Sequence, residues 1–143
     1  MVKERKCNAL RLLLFLLAVF LLTGCSTDSS GSKHGIPRYT QIDKETAMEM
    51  MAQDDGHVIV DVRRQDEYDA GHIPGAILIP NESIKTDRPE ELPDLDQIIL
   101  VYCRSGNRSK EAAQKLVELG YTNVYEFGGI DTWTGDIVSE NDP

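Results

Sequence analysis

The segment Gln97-Ile98-Ile99-Leu100-Val101-Tyr102 passes without a break into the polar hexapeptide Cys103-Arg104-Ser105-Gly106-Asn107-Arg108, and from there into Ser109 to Leu119. Its apolar residues are continuous rather than alternating. That pattern fits a strand covered on both faces, the situation of a strand inside a parallel sheet. Ala112, Ala113, Leu116, Val117 and Leu119 recur at helical spacing, and Gly120 follows as a C-terminal stop. A buried strand delivered by a short polar turn into an amphipathic helix is a unit of an α/β fold, because parallel strands need crossovers that lie on the faces of the sheet.

The flanking segments repeat the alternation. Arg38 to Ile42 is expected to form a short first strand, and Asp43 to cap a helix running through Asp54 with its apolar face in Thr46 to Met51. Gly56 ends that element, and Val58-Ile59-Val60 opens a second buried strand reaching Val62. Asp66 to Ala70 reads as a helical turn stopped by Gly71, and Ala76 to Ile79 as a short strand closed by Pro80. Residues 81–96 carry Pro89 and Pro93 and read as loop with room for a short helix. Asn123 to Phe127 is the last expected strand, followed by Gly128-Gly129 and a turn or helix bearing Trp133, with a short final element in the remaining ten residues. The expected fold is α/β, with a central, mostly parallel sheet flanked by helices over residues 38–143.

Residues 1–24 read as an address rather than as part of that fold. Lys3, Arg5, Lys6 and Arg11 form a positive start, and Leu12 to Leu22 is an unbroken apolar run of 11 residues. A span needs roughly 20 such residues. Leu22-Thr23-Gly24-Cys25 resembles the bacterial lipobox, in which the cysteine is lipidated and the peptide is cut before it. The resemblance implies a protein of the bacterial cell envelope, on the extracytoplasmic side, held to a membrane only through lipid on Cys25. An ordinary signal peptide or short anchor with an incidental cysteine is the alternative. Residues 25–37, rich in Ser, Thr, Gly, Asp and Lys, would then be a flexible tether in which His34 has no evident role.

Charge narrows the partners. The chain has 15 Lys and Arg against 24 Asp and Glu, and without residues 1–25 the balance is 11 against 23, a net of −12. So acidic a body is repelled by nucleic-acid phosphates and by an anionic bilayer surface. Its length fits one domain. With Cys7 in the signal and Cys25 lipidated, Cys103 is the one thiol left, so no disulfide can form within the mature body. There is no Cys-x-x-Cys, and the scattered histidines supply no recognisable metal spacing. His57 opens a strand, His72 is expected to brace a Gly- and Pro-bounded turn, and Trp133 to belong to the core.

Cys103 falls where open α/β sheets collect ligands, beyond the carboxyl end of a strand. The turn after it can point backbone N–H groups inward at the positive end of the following helix. Arg104 and Arg108 add local positive charge. Together these favour the thiolate and make Cys103 a candidate nucleophile facing a site for a small anion, against the alternative of an inert buried cysteine.

Val60-Asp61-Val62-Arg63, then Glu67-Tyr68 and Gly71-His72-Ile73-Pro74-Gly75-Ala76, resemble the first signature of rhodanese domains. Cys103 to Ser109 with Ala112-Ala113 resembles their active-site loop and helix, and Phe127-Gly128-Gly129-Ile130 with Trp133 their C-terminal signature. The resemblance implies a sulfurtransferase. Cys103 would take a sulfane sulfur from a small anionic donor such as thiosulfate, hold it as a persulfide, and pass it to a thiol or to cyanide, with no cofactor and no metal. The backbone of Arg104, Ser105, Gly106, Asn107, Arg108 and Ser109 would cradle the persulfide, and the arginines would help hold the donor. Asp61, near the loop, and Arg63, paired with Glu67, would be structural support. Related phosphatases and arsenate reductases have a loop one residue longer than this Cys-x4-Arg. The mercaptopyruvate-specific loop Cys-Gly-Ser-Gly-Val-Thr is also absent. A persulfide relay or partner-binding module without turnover is a rival function, and a phosphatase or arsenate reductase a second.

Overall fold

A computed structural model of the chain describes residues 38–139. The expected signal peptide, Cys25 and the tether lie outside the described residues. Five strands form one sheet: β1 (Thr40–Gln41), β2 (Val58–Asp61), β3 (Ala76–Leu78), β4 (Ile98–Cys103) and β5 (Asn123–Gly129). Their spatial order is β1-β5-β4-β2-β3 and every pairing is parallel. Three helices make the crossovers, α1 (Lys44–Met51), α2 (Gln65–Ala70) and α3 (Asn107–Glu118), and a 3₁₀ turn covers Ile130–Thr132. The fold is the expected one, with β4 at the centre of the sheet.

Burial follows strand alternation. Val60, Ile99, Val101, Cys103 and Val124 meet Ala112, Ala113, Leu116 and Val117 of α3 on one face. Ile59, Leu100, Tyr102 and Phe127 meet Ala47 of α1 on the other. Asp43 caps α1 by accepting the Thr46 N–H at 2.8 Å.

Several element boundaries differ from expectation. α1 ends at Met51 rather than Asp54. Residues 81–96 form turns and no helix: Ile84 and Leu92 are buried, and the Tyr121 hydroxyl donates to the Leu92 carbonyl at 2.6 Å. α3 starts at Asn107 instead of Ser109, because Gly106 adopts a left-handed φ of +97° and serves as its N-cap. β5 runs on to Gly129 through a bulge, where Val101 faces Glu126 but Cys103 faces Gly129. The extra residue shifts the end of β5 against the loop that leaves β4.

Candidate active site

Cys103 ends the central strand and is 1% exposed. The turn set by Gly106 returns the chain over the sulfur, and the Gly106 N–H donates to Sγ at 3.1 Å. Burial pushes the Cys103 thiol up. The Ser109 hydroxyl and the N–H groups of Ser109, Ser105 and Gly106, all directed at the sulfur, more than offset it and bring the thiol below its ordinary value. The first turn of α3 supplies one of those donors, so the positive end of the helix faces the sulfur. The hydroxyl and main-chain N–H groups weigh most, and Arg108, one of the two arginines expected to favour the thiolate, adds a weaker charge interaction with Cys103.

The underside of the loop is main chain against main chain. Gly129 lies beneath it, and the Asp131 N–H donates to the Arg104 carbonyl at 3.1 Å. A Cβ on Gly129 would fall on Arg104 and lie 2.6 Å from the Ser105 Cα. Its backbone is ordinary extended structure, so the constraint is space alone. Gly129→Ala is expected to lift the loop and to lower by about 100-fold the sulfur transfer that the rhodanese resemblance implies, the scale on which a reacting group misplaced by an ångström fails. Far-ultraviolet dichroism should stay native. A variant with unchanged transfer would refute the close fit.

Charged neighbours are organised differently from expectation. Arg63 pairs with Asp61 and not with Glu67: its Nη2 donates to Asp61 Oδ2 at 2.6 Å and to the Gly71 carbonyl at 2.7 Å. Both side chains are buried. Glu67 instead receives both arms of Arg108, at 2.7 and 2.8 Å. The reason is placement, since Glu67 on α2 and Arg108 in the first turn of α3 both lie by the loop, while Asp61 is two residues from Arg63. Arg108 holds Glu67 down to about 2 from an ordinary 4.5. Because the folded value is the lower one, the pair stabilises the protein above the ordinary carboxylate range, and that stabilisation is lost as pH falls from 4.5 toward 2. Urea midpoints measured down that interval should fall less in Glu67→Gln than in the native chain.

Arg104, Ser105 and Asn107 are exposed, Gly106 and Ser109 are buried, and Arg108 is half-buried. The structure thus gathers Cys103, Ser105, Gly106 and Ser109 around one sulfur atom. It places Arg104 and Asn107 on the outer surface of the loop and Asp61 with Arg63 below, beside Tyr102. His72 stacks on Tyr68 with ring centroids 3.7 Å apart, and its main chain pairs with Val138. Trp133 packs on Phe127 and borders a cavity of about 600 Å³ that shares no residue with the Cys103 loop. Among the described residues no cluster of His, Cys, Asp and Glu is placed to hold a metal. Sequence reasoning missed Glu126, whose carboxyl group is wholly buried against Ser109. The available signal was an acidic residue two positions from Val124, on the inward side of a strand.

The family model of the rhodanese-like domain matches residues 43–136. The thiosulfate sulfurtransferase GlpE of Pseudomonas entomophila is 40% identical over 103 residues, covering 71% of this chain and 91% of that protein. The adenylyltransferase and sulfurtransferase UBA4 of Candida albicans is 40% identical over 91 residues, which are 59% of this chain but 21% of that much longer protein. Among solved structures, a rhodanese with anions from E. coli aligns at 34% identity and a TM-score of 0.54, covering 58% of this chain and 98% of that one.

Proposed function

Because the chain belongs to the rhodanese-like domain family, we propose that it is a thiosulfate sulfurtransferase working through a persulfide on Cys103. The observation that carries this reading is the sulfur itself, buried at a strand end under N–H groups of Ser105, Gly106 and Ser109 that favour its anion. The thiolate attacks the outer sulfur of thiosulfate. A bond forms between the two sulfurs, the bond inside thiosulfate breaks, and sulfite leaves with the electron pair. The terminal sulfur of the persulfide now carries the charge, within the same cradle. An acceptor thiolate, or cyanide, then attacks that terminal sulfur and releases the Cys103 thiolate.

Exposed Arg104 offers positive charge to the sulfonate end of the donor. Arg108, both arms on Glu67, acts by holding α2 against the loop. The six-residue loop from Cys103 to Arg108 supports a sulfur atom as occupant in preference to a tetrahedral oxyanion. The test is intact-protein mass spectrometry of the purified chain after incubation with thiosulfate. A gain of one sulfur, discharged by cyanide, is expected. No gain on a chain whose thiol is shown to be free would overturn the reading.

A further inference from the structure

Along β5, Tyr125 and Phe127 pack on the α1 face while Val124 and Glu126 turn toward α3. Glu126 has no solvent exposure. Its Oε1 accepts from the Gly128 N–H at 2.8 Å and from the Ser109 hydroxyl at 2.6 Å, while Oε2 is equally buried and has no partner. Ser109, also unexposed, has a single hydroxyl proton for several acceptors. Besides Glu126 these are the Gly106 carbonyl at 3.0 Å, the Gly128 carbonyl at 3.3 Å and the Cys103 sulfur. The sulfur-transfer steps above give the buried acid no part.

We propose that Glu126 is the internal base that takes the Cys103 proton through Ser109, so that thiolate and carboxylic acid form together. The proposal rests, for its purpose, on the sulfurtransferase reading of the same site. In one arrangement the Cys103 S–H donates to Ser109 Oγ and the Ser109 O–H donates to the Glu126 carboxylate. In the other the S–H bond has broken and its electron pair stays on sulfur. Its proton is now on Ser109 Oγ, the former serine proton is on Glu126 Oε1, and the serine hydroxyl donates to the sulfur anion. No proton leaves the protein and the buried charge stays at one.

Local chemistry favours the second arrangement. The sulfur anion is met by several N–H donors, whereas a Glu126 carboxylate would keep one bare oxygen out of reach of water. Two anions around one hydroxyl would repel each other, so in this proposal the site holds a single negative charge. Other charged groups on the neighbouring elements are engaged elsewhere or exposed. Arg108 of α3 is on Glu67, Lys44 of α1 donates to the Thr132 carbonyl, Lys110 and Asp131 are exposed, and β1 meets Glu126 through main chain only, in register with Gln41.

The test is the rate at which iodoacetamide alkylates Cys103 as pH is varied, in the full chain and in Glu126→Gln. The native chain should show a plateau between two titrations, because internal transfer is independent of pH. Glu126→Gln should show one titration and alkylate at least about tenfold more slowly at the plateau pH, one unit or more in apparent pKa. Equal or faster alkylation overturns the proposal, since a glutamate that merely repelled the thiolate would speed the reaction when neutralised. If Glu126→Gln does not fold, infrared difference spectra decide. A protonated-carboxyl band present in the native chain at neutral pH should vanish in Cys103→Ser, and identical spectra overturn the relay. Sulfur uptake from thiosulfate reads the function separately: a plateau without uptake refutes the sulfurtransferase, and uptake without a plateau refutes the relay alone.

Discussion

Cys103→Ser is expected to take up no sulfur from thiosulfate and to turn over no cyanide, while unfolding in urea within about 1.5 kcal/mol of the native chain. The exchange of sulfur for oxygen leaves the shape of the side chain nearly unchanged. The Gly106 N–H, 3.1 Å from the sulfur, keeps an acceptor in front of it. What disappears is the anion. The cradle lowers a thiol, which is a far stronger acid than an alcohol, and an alcohol lies too far above it for three N–H groups and a hydroxyl to reach. Intact mass and cyanide turnover, read beside the urea curve, separate loss of chemistry from loss of fold. Sulfur uptake by the variant would place the acceptor atom elsewhere and sink the mechanism.

Arg63→Met is expected to be the most destabilising single change near the site, by about 3–5 kcal/mol. Asp61 is fully buried, and Arg63 supplies it with a main-chain N–H at 2.9 Å and with side-chain donors at 2.6 and 3.0 Å. Removing the guanidinium strands a carboxylate between β2 and Tyr102 and leaves the Gly71 carbonyl without its donor. Neutralising the partner as well, in Asp61→Asn with Arg63→Met, should recover part of the loss, because the cost of the single variant is mainly that of an uncompensated buried charge. Thermal melts would show it clearly, since in a domain of this size each kcal/mol moves the midpoint by about 4–8 °C. A single variant within 1 kcal/mol of native would mean that water reaches Asp61.

Much of this was legible in the chain, and the reasons are local. The unbroken apolar character of Ile98 to Tyr102 needs a covered strand, and Gly106 three residues after Cys103 needs a tight turn. Fold class and loop therefore followed from patterning that is visible within a dozen residues. Pairings across the fold were not legible. Arg63 has acidic residues at Asp61 and Glu67, and only the direction in which β2 leaves the sheet decides for Asp61. Glu67 and Arg108 are 41 positions apart and meet because α2 and α3 flank one strand end. Glu126 is an unremarkable letter in a short strand until Ser109 is set above it. Gly129 stood in a recognisable signature, yet its reason for being glycine lies in Arg104 and Ser105, on another strand's exit.

The sheet order also governs when the site is assembled. Every pairing is parallel, so no strand can zip against its neighbour through a hairpin, and β1 at Thr40 must find β5 at Tyr125. Contacts so distant along the chain close slowly. Among the described strands β5 is also the last to be synthesised, and it brings Gly129 beneath the loop and Glu126 beside Ser109. A nascent chain that has already made Cys103 therefore still lacks the glycine that seats its loop and the carboxyl group that meets Ser109. On the mechanism proposed above, the seat of the Cys103 loop and the acid beside Ser109 are complete only once β5 docks.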